Sequence, residues 1–154
     1  MKQNSLVNIL HIKSHKKQFL SLLLMADEQE NMIDKYLERG DMYALYEDEV
    51  KCVCIVTYES EEILQLKNIV TVPQYRKQGY AKTLIRYILQ HYQGKGQIIQ
   101  VGTGEVPSIL EFYQKCGFTL SHRVENFFTE NYAQPIIEEG ITLKDMVYLQ
   151  HDLL

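Results

Sequence analysis

Val70-Thr71-Val72-Pro73-Gln74-Tyr75-Arg76-Lys77-Gln78-Gly79-Tyr80-Ala81-Lys82-Thr83-Leu84-Ile85 decides the fold of this chain. Ile69, Val70 and Val72 are β-formers, and Pro73 cannot donate to a ladder, so a strand is predicted to stop there. Ala81, Leu84, Ile85, Ile88, Leu89 and Tyr92 then recur at helical spacing and give a helix one apolar stripe. The residues entering that helix are Arg76, Lys77 and Gln78, none of which is a good N-cap. The first N–H groups of a helix need partners, and the helix dipole favours negative charge there. A phosphate group answers both needs. Gly79 lacks a Cβ, so a ligand can approach the backbone, and Ala81 adds little bulk.

Further along, Ile109-Leu110-Glu111-Phe112-Tyr113-Gln114-Lys115-Cys116-Gly117-Phe118 reads as a helix that ends at glycine. The pattern Arg76-x-x-Gly79-x-Ala81 resembles the coenzyme A signature of the GNAT superfamily of N-acetyltransferases, Gln/Arg-x-x-Gly-x-Gly/Ala at a strand-to-helix junction. The stretch from Ile109 to Phe118 is similar to the family's later motif, a helix ending in Tyr-x-x-x-Gly-Phe. One helix and one strand fill the interval, as they do in the family. The resemblance runs from Leu64 to Phe118. It implies an α+β (mixed α/β) GNAT fold: a mostly antiparallel sheet of about seven strands, splayed near its middle, with helices on both faces.

The resemblance also implies a chemistry, acetyl transfer from acetyl-CoA to an amine by direct attack in a ternary complex. The backbone amides of Gln78, Gly79, Tyr80, Ala81 and Lys82 would bind the pyrophosphate, with Arg76 and Lys77 at its rim. The main chain of Ile69, Val70 and Val72 would pair with the pantetheine arm as an added strand pairs with a sheet edge. The gap for it would lie between the strand ending at Val72 and that of Ile98 to Val101. Tyr113 would be the general acid: a phenol with a reference pKa of about 10 keeps its proton at neutral pH, ready for the CoA thiolate. Read on its own, Tyr113 is a packing residue beside Phe112 and Phe118.

No base is named. An amine with a pKa near 10.4 must lose a proton, which at pH 7 costs about 4.6 kcal/mol. Many family members carry a Glu in the strand before the CoA loop, and the counterpart here is Gln65, which cannot accept that proton. Glu61, Glu62 and Glu105 read as surface carboxylates, and proton loss through water stands beside them. Val106 occupies a position where members often place Asn to bind the CoA arm.

Composition sets the wider bounds. A chain of 154 residues is expected to form one acetyltransferase domain over 1–154. A net charge of −4 argues against a nucleic-acid partner. Cys52, Cys54 and Cys116 are odd in number and suit a reduced, cytoplasmic protein in which they are small buried hydrophobes. The five histidines are scattered without a ligand motif, so no metal is expected. The run Phe19 to Ala26 is too short to cross a bilayer, and the N-terminus lacks a signal-peptide layout. A P-loop is excluded, and Gly102-Thr103-Gly104 reads as a turn because Pro107 replaces the third glycine of a dinucleotide fingerprint.

Around the central stretch, strands are predicted at Leu6 to Ile12, Met42 to Tyr46, Val50 to Tyr58, Ile63 to Val72, Ile98 to Val101, Phe118 to Val124 and Leu143 to Leu149. Val50 to Tyr58 is apolar on both faces and so central. Helices are predicted at Lys16 to Met25, from a cap in Asp27-Glu28-Gln29-Glu30 through Leu37 to Gly40, and from Gly79 to Tyr92. Phe127, Phe128 and Tyr132 wall an acceptor cavity, form a homodimer patch or close the core. The expected substrate is a small-molecule amine such as a polyamine, amino sugar or aminoglycoside. The alternatives are a protein acetyltransferase acting on an N-terminus or lysine, and an acyl-CoA-binding module without turnover.

Overall fold

The computed structural model describes residues 6–154. The reading of the N-terminal layout falls partly on residues 1–5, outside that range. Strand β1 is Asn8–Ile12, followed by a 3₁₀ turn at Lys16–Phe19 and two short helices, α1 (Leu20–Leu23) and α2 (Glu30–Asp34). Strands β2 (Asp41–Glu47), β3 (Glu49–Tyr58) and β4 (Ile63–Thr71) lead to the long helix α3 (Tyr80–His91). Then come β5 (Ile98–Gly104), α4 (Pro107–Lys115), β6 (Thr119–Val124), α5 (Phe127–Asn131), the ribbon β7 (Ile137–Glu138) and β8 (Ile141–Thr142), and β9 (Met146–Asp152). Seven strands form one sheet in the order β1-β2-β3-β4-β5-β9-β6. The pairs β1–β2, β2–β3, β5–β9 and β6–β9 are antiparallel. This is the mixed α+β class expected from the sequence.

The chain forms two compact units. The first runs to Tyr58 and resumes over Leu66–His91; the second is Glu59–Gln65 with Tyr92–Leu154.

In the first unit, alternation along β2 and β3 sends side chains to two faces. Met42, Ala44, Val53 and Ile55 pack with Phe19, Leu23, Ile33, Tyr36 and Leu37 from the α1–α2 segment. The other face carries Tyr43, whose ring meets Tyr87 and His91 of α3 at 5.7 Å each. Both faces are therefore covered, and β3 is buried from Lys51 to Thr57, as its doubly apolar pattern predicted. Each fully buried Leu or Ile here contributes about 1.5–3 kcal/mol.

The α1–α2 segment departs from expectation. The predicted first helix is a 3₁₀ turn and a single turn of α-helix. The helix α2 starts at Glu30, its N-cap Gln29 makes no side-chain cap, and it ends at Asp34. The predicted capping acid, Asp27, is engaged elsewhere, since its carboxylate accepts the hydroxyl proton of Tyr36 at 2.9 Å. The turns that follow are closed by a cation as well as by Gly40. Lys16 is buried, and its Nζ donates to the carbonyls of Leu37 (3.0 Å), Glu38 (3.2 Å) and Gly40 (2.7 Å).

In the second unit, β5 continues through Gly102-Thr103-Gly104, where a turn was expected. These glycines make room for neighbours. A Cβ on Gly102 would lie 2.9 Å from the Tyr148 ring, and one on Gly104 would lie 2.6 Å from Leu143. The last strand is β9, Met146–Asp152, and not Leu143 to Leu149. Leu143 belongs instead to a small core with Val106 and Ile136. Helix α4 ends at Lys115, and Gly117 just beyond its C-cap turns the chain with φ 105°.

Candidate functional site

The stretch after β4 forms a tight basic loop in the first unit. The Val72 amide donates to the Lys51 carbonyl at 2.8 Å, and its carbonyl accepts from the Tyr75 amide at 2.8 Å. The Val72 amide and one lone pair of its carbonyl are thus engaged within the protein. Pro73–Tyr75 makes one 3₁₀ turn, and the Arg76 amide returns to the Pro73 carbonyl at 3.3 Å. Lys77 (φ 63°) and Gly79 (φ 88°) both take the left-handed conformation. Such left-handed residues at a turn gather N–H groups into a concavity suited to anions.

Helix α3 then begins. Its first bond from beyond the loop runs from the Thr83 amide to the Gly79 carbonyl at 3.0 Å. The amides of Tyr80, Ala81 and Lys82 therefore have no acceptor one turn back in the helix. Gly79 has no side chain to cap them, and a Cβ there would meet nothing within 4 Å. Arg76, Lys77, Gln78 and Lys82 are exposed around this end. Helix dipole, free amides and cations all favour an anion at one place.

The loop is braced by a device that the sequence reading missed. Tyr75 donates its hydroxyl proton to Glu49, and Tyr80 donates to Glu47. Both acids flank Asp48, between β2 and β3. The Lys51 Nζ lies 3.4 Å from the centre of the Tyr75 ring, a cation–π contact. The two tyrosine rings meet edge to face at 6.4 Å. The hydrogen bond to Glu47 pushes the Tyr80 phenol above its ordinary pKa. The sequence signal was present as two tyrosines around the basic loop and a turn of three successive acids. Nothing in the sequence alone paired them.

Ile69 and Thr71 of β4 are half-buried and Val70 is buried. Thr71 lies beside Cys52, its Oγ1 3.6 Å from Sγ. Burial pushes the Cys52 thiol up to about 11 and raises Cys54 well above its ordinary value, so both are inert small hydrophobes as expected.

The remaining candidates belong to the second unit. Tyr113 is 8% exposed, and its ring meets Phe112 (5.3 Å) and Phe118 (5.9 Å). Gln65 donates from Nε2 to Gln100 Oε1 at 3.3 Å. Glu105 is held by both terminal nitrogens of Arg123, at 2.8 Å for the Nη2–Oε2 contact. That hydrogen bonding holds its carboxyl below the usual range, which makes it a poor base. Glu61 and Glu62 are exposed, as expected. Val106 is fully buried beside Ile136 and Leu143, with Phe128 and Tyr132 packed on the same cluster. Val106 is thus core, and two of the three aromatics close that core. Among the described residues, no group of three or more His, Cys, Asp or Glu is placed to hold a metal ion.

The chain is similar in sequence and fold to known proteins. Residues 38–120 match the acetyltransferase (GNAT) domain family. The chain is 35% identical over 136 residues to the uncharacterized N-acetyltransferase YvbK of Bacillus subtilis strain 168, covering 86% of this chain and 87% of that protein. It superposes on a GNAT family acetyltransferase from Elizabethkingia anophelis with acetyl-CoA bound. The TM-score is 0.90 at 30% identity, over 96% of this chain and 98% of the other. An acetyltransferase from Bacillus subtilis in complex with CoA gives a TM-score of 0.87 at 32% identity, over 96% and 99% of the two chains. With the motifs, the sheet order and these relatives in agreement, this chain belongs to the GNAT family of acetyltransferases.

Proposed function

We propose that this enzyme moves the acetyl group of acetyl-CoA to a primary amine of a small molecule, in a single catalytic domain and by direct attack in a ternary complex. The observation that carries the proposal is the set of helix-start amides after Arg76, with open space where a Cβ on Gly79 would point. The amides of Gln78, Gly79, Tyr80, Ala81 and Lys82 take the diphosphate, and Arg76 and Lys77 add charge beside it. The main chain of Ile69 and Val70 orders the pantetheine arm; Val72 offers only the second lone pair of its carbonyl. Relatives with acetyl-CoA or CoA bound support the choice of donor.

In the reaction, the amine nitrogen attacks the thioester carbon and an N–C bond forms. The C–S bond breaks, and the departing thiolate takes the phenolic proton of Tyr113. Tyr113 regains a proton from solvent, and the proton lost by the attacking nitrogen leaves through water. Gln65 accepts no proton in this scheme, and the Arg123 ion pair keeps Glu105 out of it. The test is a panel of small amines with acetyl-CoA, read as release of free thiol. Turnover of a small amine supports the proposal. Turnover of peptide amines alone, or of none, contradicts it.

A further inference from the structure

The seven-stranded sheet ends in two different edges, β1 in the first unit and β6 in the second. Edge strands expose unpaired N–H and C=O groups, and proteins defend them with charges and with bulges. β6 has both defences. Its register slips between Leu120 and His122, which leaves Ser121 as a bulge, and Arg123 is held there by Glu105 and Asp145. β1 has neither. Asn8 to Ile12 pairs with β2 in unbroken register, and the strand contains no Pro, Lys, Arg, Asp or Glu. Among the described residues, no strand pairs with its outer side.

The side chains along this edge are apolar and exposed. Leu6 is 81% exposed, Val7 43% and Leu10 50%. Single exposed hydrophobics are ordinary, but three within five residues beside an open ladder make a patch. The neighbouring side chains are engaged within the first unit. Ile12 packs against the cluster that holds Met42 and Ala44. The His11 ring stacks on Tyr43 at 4.9 Å, and its Nε2 lies 3.5 Å from Asp41. Leu10 pairs with Ala44, on the face of Ile12, yet half of it remains uncovered.

We infer that a second copy of this chain covers the edge, β1 pairing antiparallel with β1 about a two-fold axis normal to the sheet at Leu10. An antiparallel partner of the same sequence keeps each face on its own side, so facing residues share parity. The register that uses all five residues sets Asn8 against Ile12, Ile9 against His11 and Leu10 against Leu10. The exposed leucine then meets its own copy, an apolar cross-strand pair next to Ile12. The His11 imidazole, itself beside Asp41, faces an isoleucine, so no like charges meet. The edge is thus complementary to itself, which favours the identical chain over a different protein. Five residues make a small interface, so the dimer is weak, with a Kd of about 10–100 µM. The inference does not depend on the acetyl-transfer reading.

The experiment is sedimentation velocity of the full chain at concentrations on both sides of that Kd. The wild type should pass from monomer to dimer. Leu10→Lys sets a charge against its own copy and should weaken the dimer at least about tenfold, with CoA affinity and melting temperature near wild type. Leu120→Lys on β6 is the control and should leave the dimer intact. Register is read separately by Leu10→Cys with oxidised glutathione. Facing Cα atoms lie about 4.5–5.5 Å apart, within disulfide reach. Leu10→Cys should give a covalent dimer, whereas Leu120→Cys and the wild type, whose Cys52 and Cys54 are buried, should not. A monomer at every concentration overturns the inference and leaves the edge to another protein or to water. A dimer that survives Leu10→Lys lies elsewhere and overturns it as well. A dimer lost with Leu10→Lys but never cross-linked by Leu10→Cys overturns the two-fold at Leu10.

Discussion

The Lys51 ammonium stands 3.4 Å over the ring of Tyr75, and the Tyr75 hydroxyl donates to Glu49 two positions earlier on the same strand. One strand therefore grips the basic loop from below and from its tip. Tyr75→Leu removes both contacts. It should weaken CoA binding by about tenfold, because the loop is no longer preorganised. Calorimetry with CoA checks this. Equal affinity in the variant would show that the brace is incidental.

Gly79 sits at φ 88° with open space where a Cβ would point. Gly79→Val should cost about 1–2 kcal/mol of stability through the left-handed conformation. It should cost CoA affinity much more, about a hundredfold, since the side chain enters the anion's place. Thermal unfolding and calorimetry on one preparation separate the two effects. A loss of affinity no larger than the stability loss would argue against a ligand there.

Lys16 satisfies three carbonyls at the end of the turns after α2 while itself buried. Lys16→Met keeps the apolar stem but leaves those carbonyls without their donor. A loss of about 2–3 kcal/mol follows, measurable by urea denaturation. Acetyl transfer at a temperature where the variant is folded should change little.

Tyr113→Phe tests the general acid. The ring contacts with Phe112 and Phe118 survive the change, so the fold should hold. Turnover should fall by about a hundredfold, with CoA affinity nearly intact. An unchanged kcat would return Tyr113 to packing alone.

The acid limb of stability has a local source. Arg123 lowers the Glu105 pKa, and the Asn126 amide, then Arg123, lowers that of Asp145. Both folded pKa values lie below their unfolded ones. Their contribution is therefore present above the ordinary carboxylate range and disappears as pH falls through the folded values, below about pH 4. Arg123 and Glu105 are largely exposed and Asp145 is half-buried at the rim, so solvent screening keeps the effect small. Arg123→Gln should lower the melting temperature slightly at pH 7 and flatten the acid limb of its pH profile. The two profiles should converge at the acid end, and parallel profiles would place the source elsewhere.

The parts of the fold legible in the sequence were those with strong local signals. The strand stopped by Pro73, the amphipathic helix after Gly79 and the doubly apolar β3 each follow from residue type and period. The errors came where a distant partner overrides local chemistry. Asp27 reads as a cap, but Tyr36 claims its carboxylate. Gly102 and Gly104 read as a turn, but Tyr148 and Leu143 need their space. The site divided the same way. The anion-binding loop was visible as missing caps and basic residues. The Tyr75–Glu49 and Tyr80–Glu47 brace depends on strand register that no local pattern encodes.

The central claim is that the amides following Arg76 grip a diphosphate. Its most direct measurement is the amide NMR spectrum of the labelled protein titrated with CoA and, separately, with pantetheine, which lacks the diphosphate. Large downfield shifts are expected for Gly79, Tyr80, Ala81 and Lys82 with CoA, and little movement there with pantetheine. Tight CoA binding that leaves those four amides unmoved would contradict it.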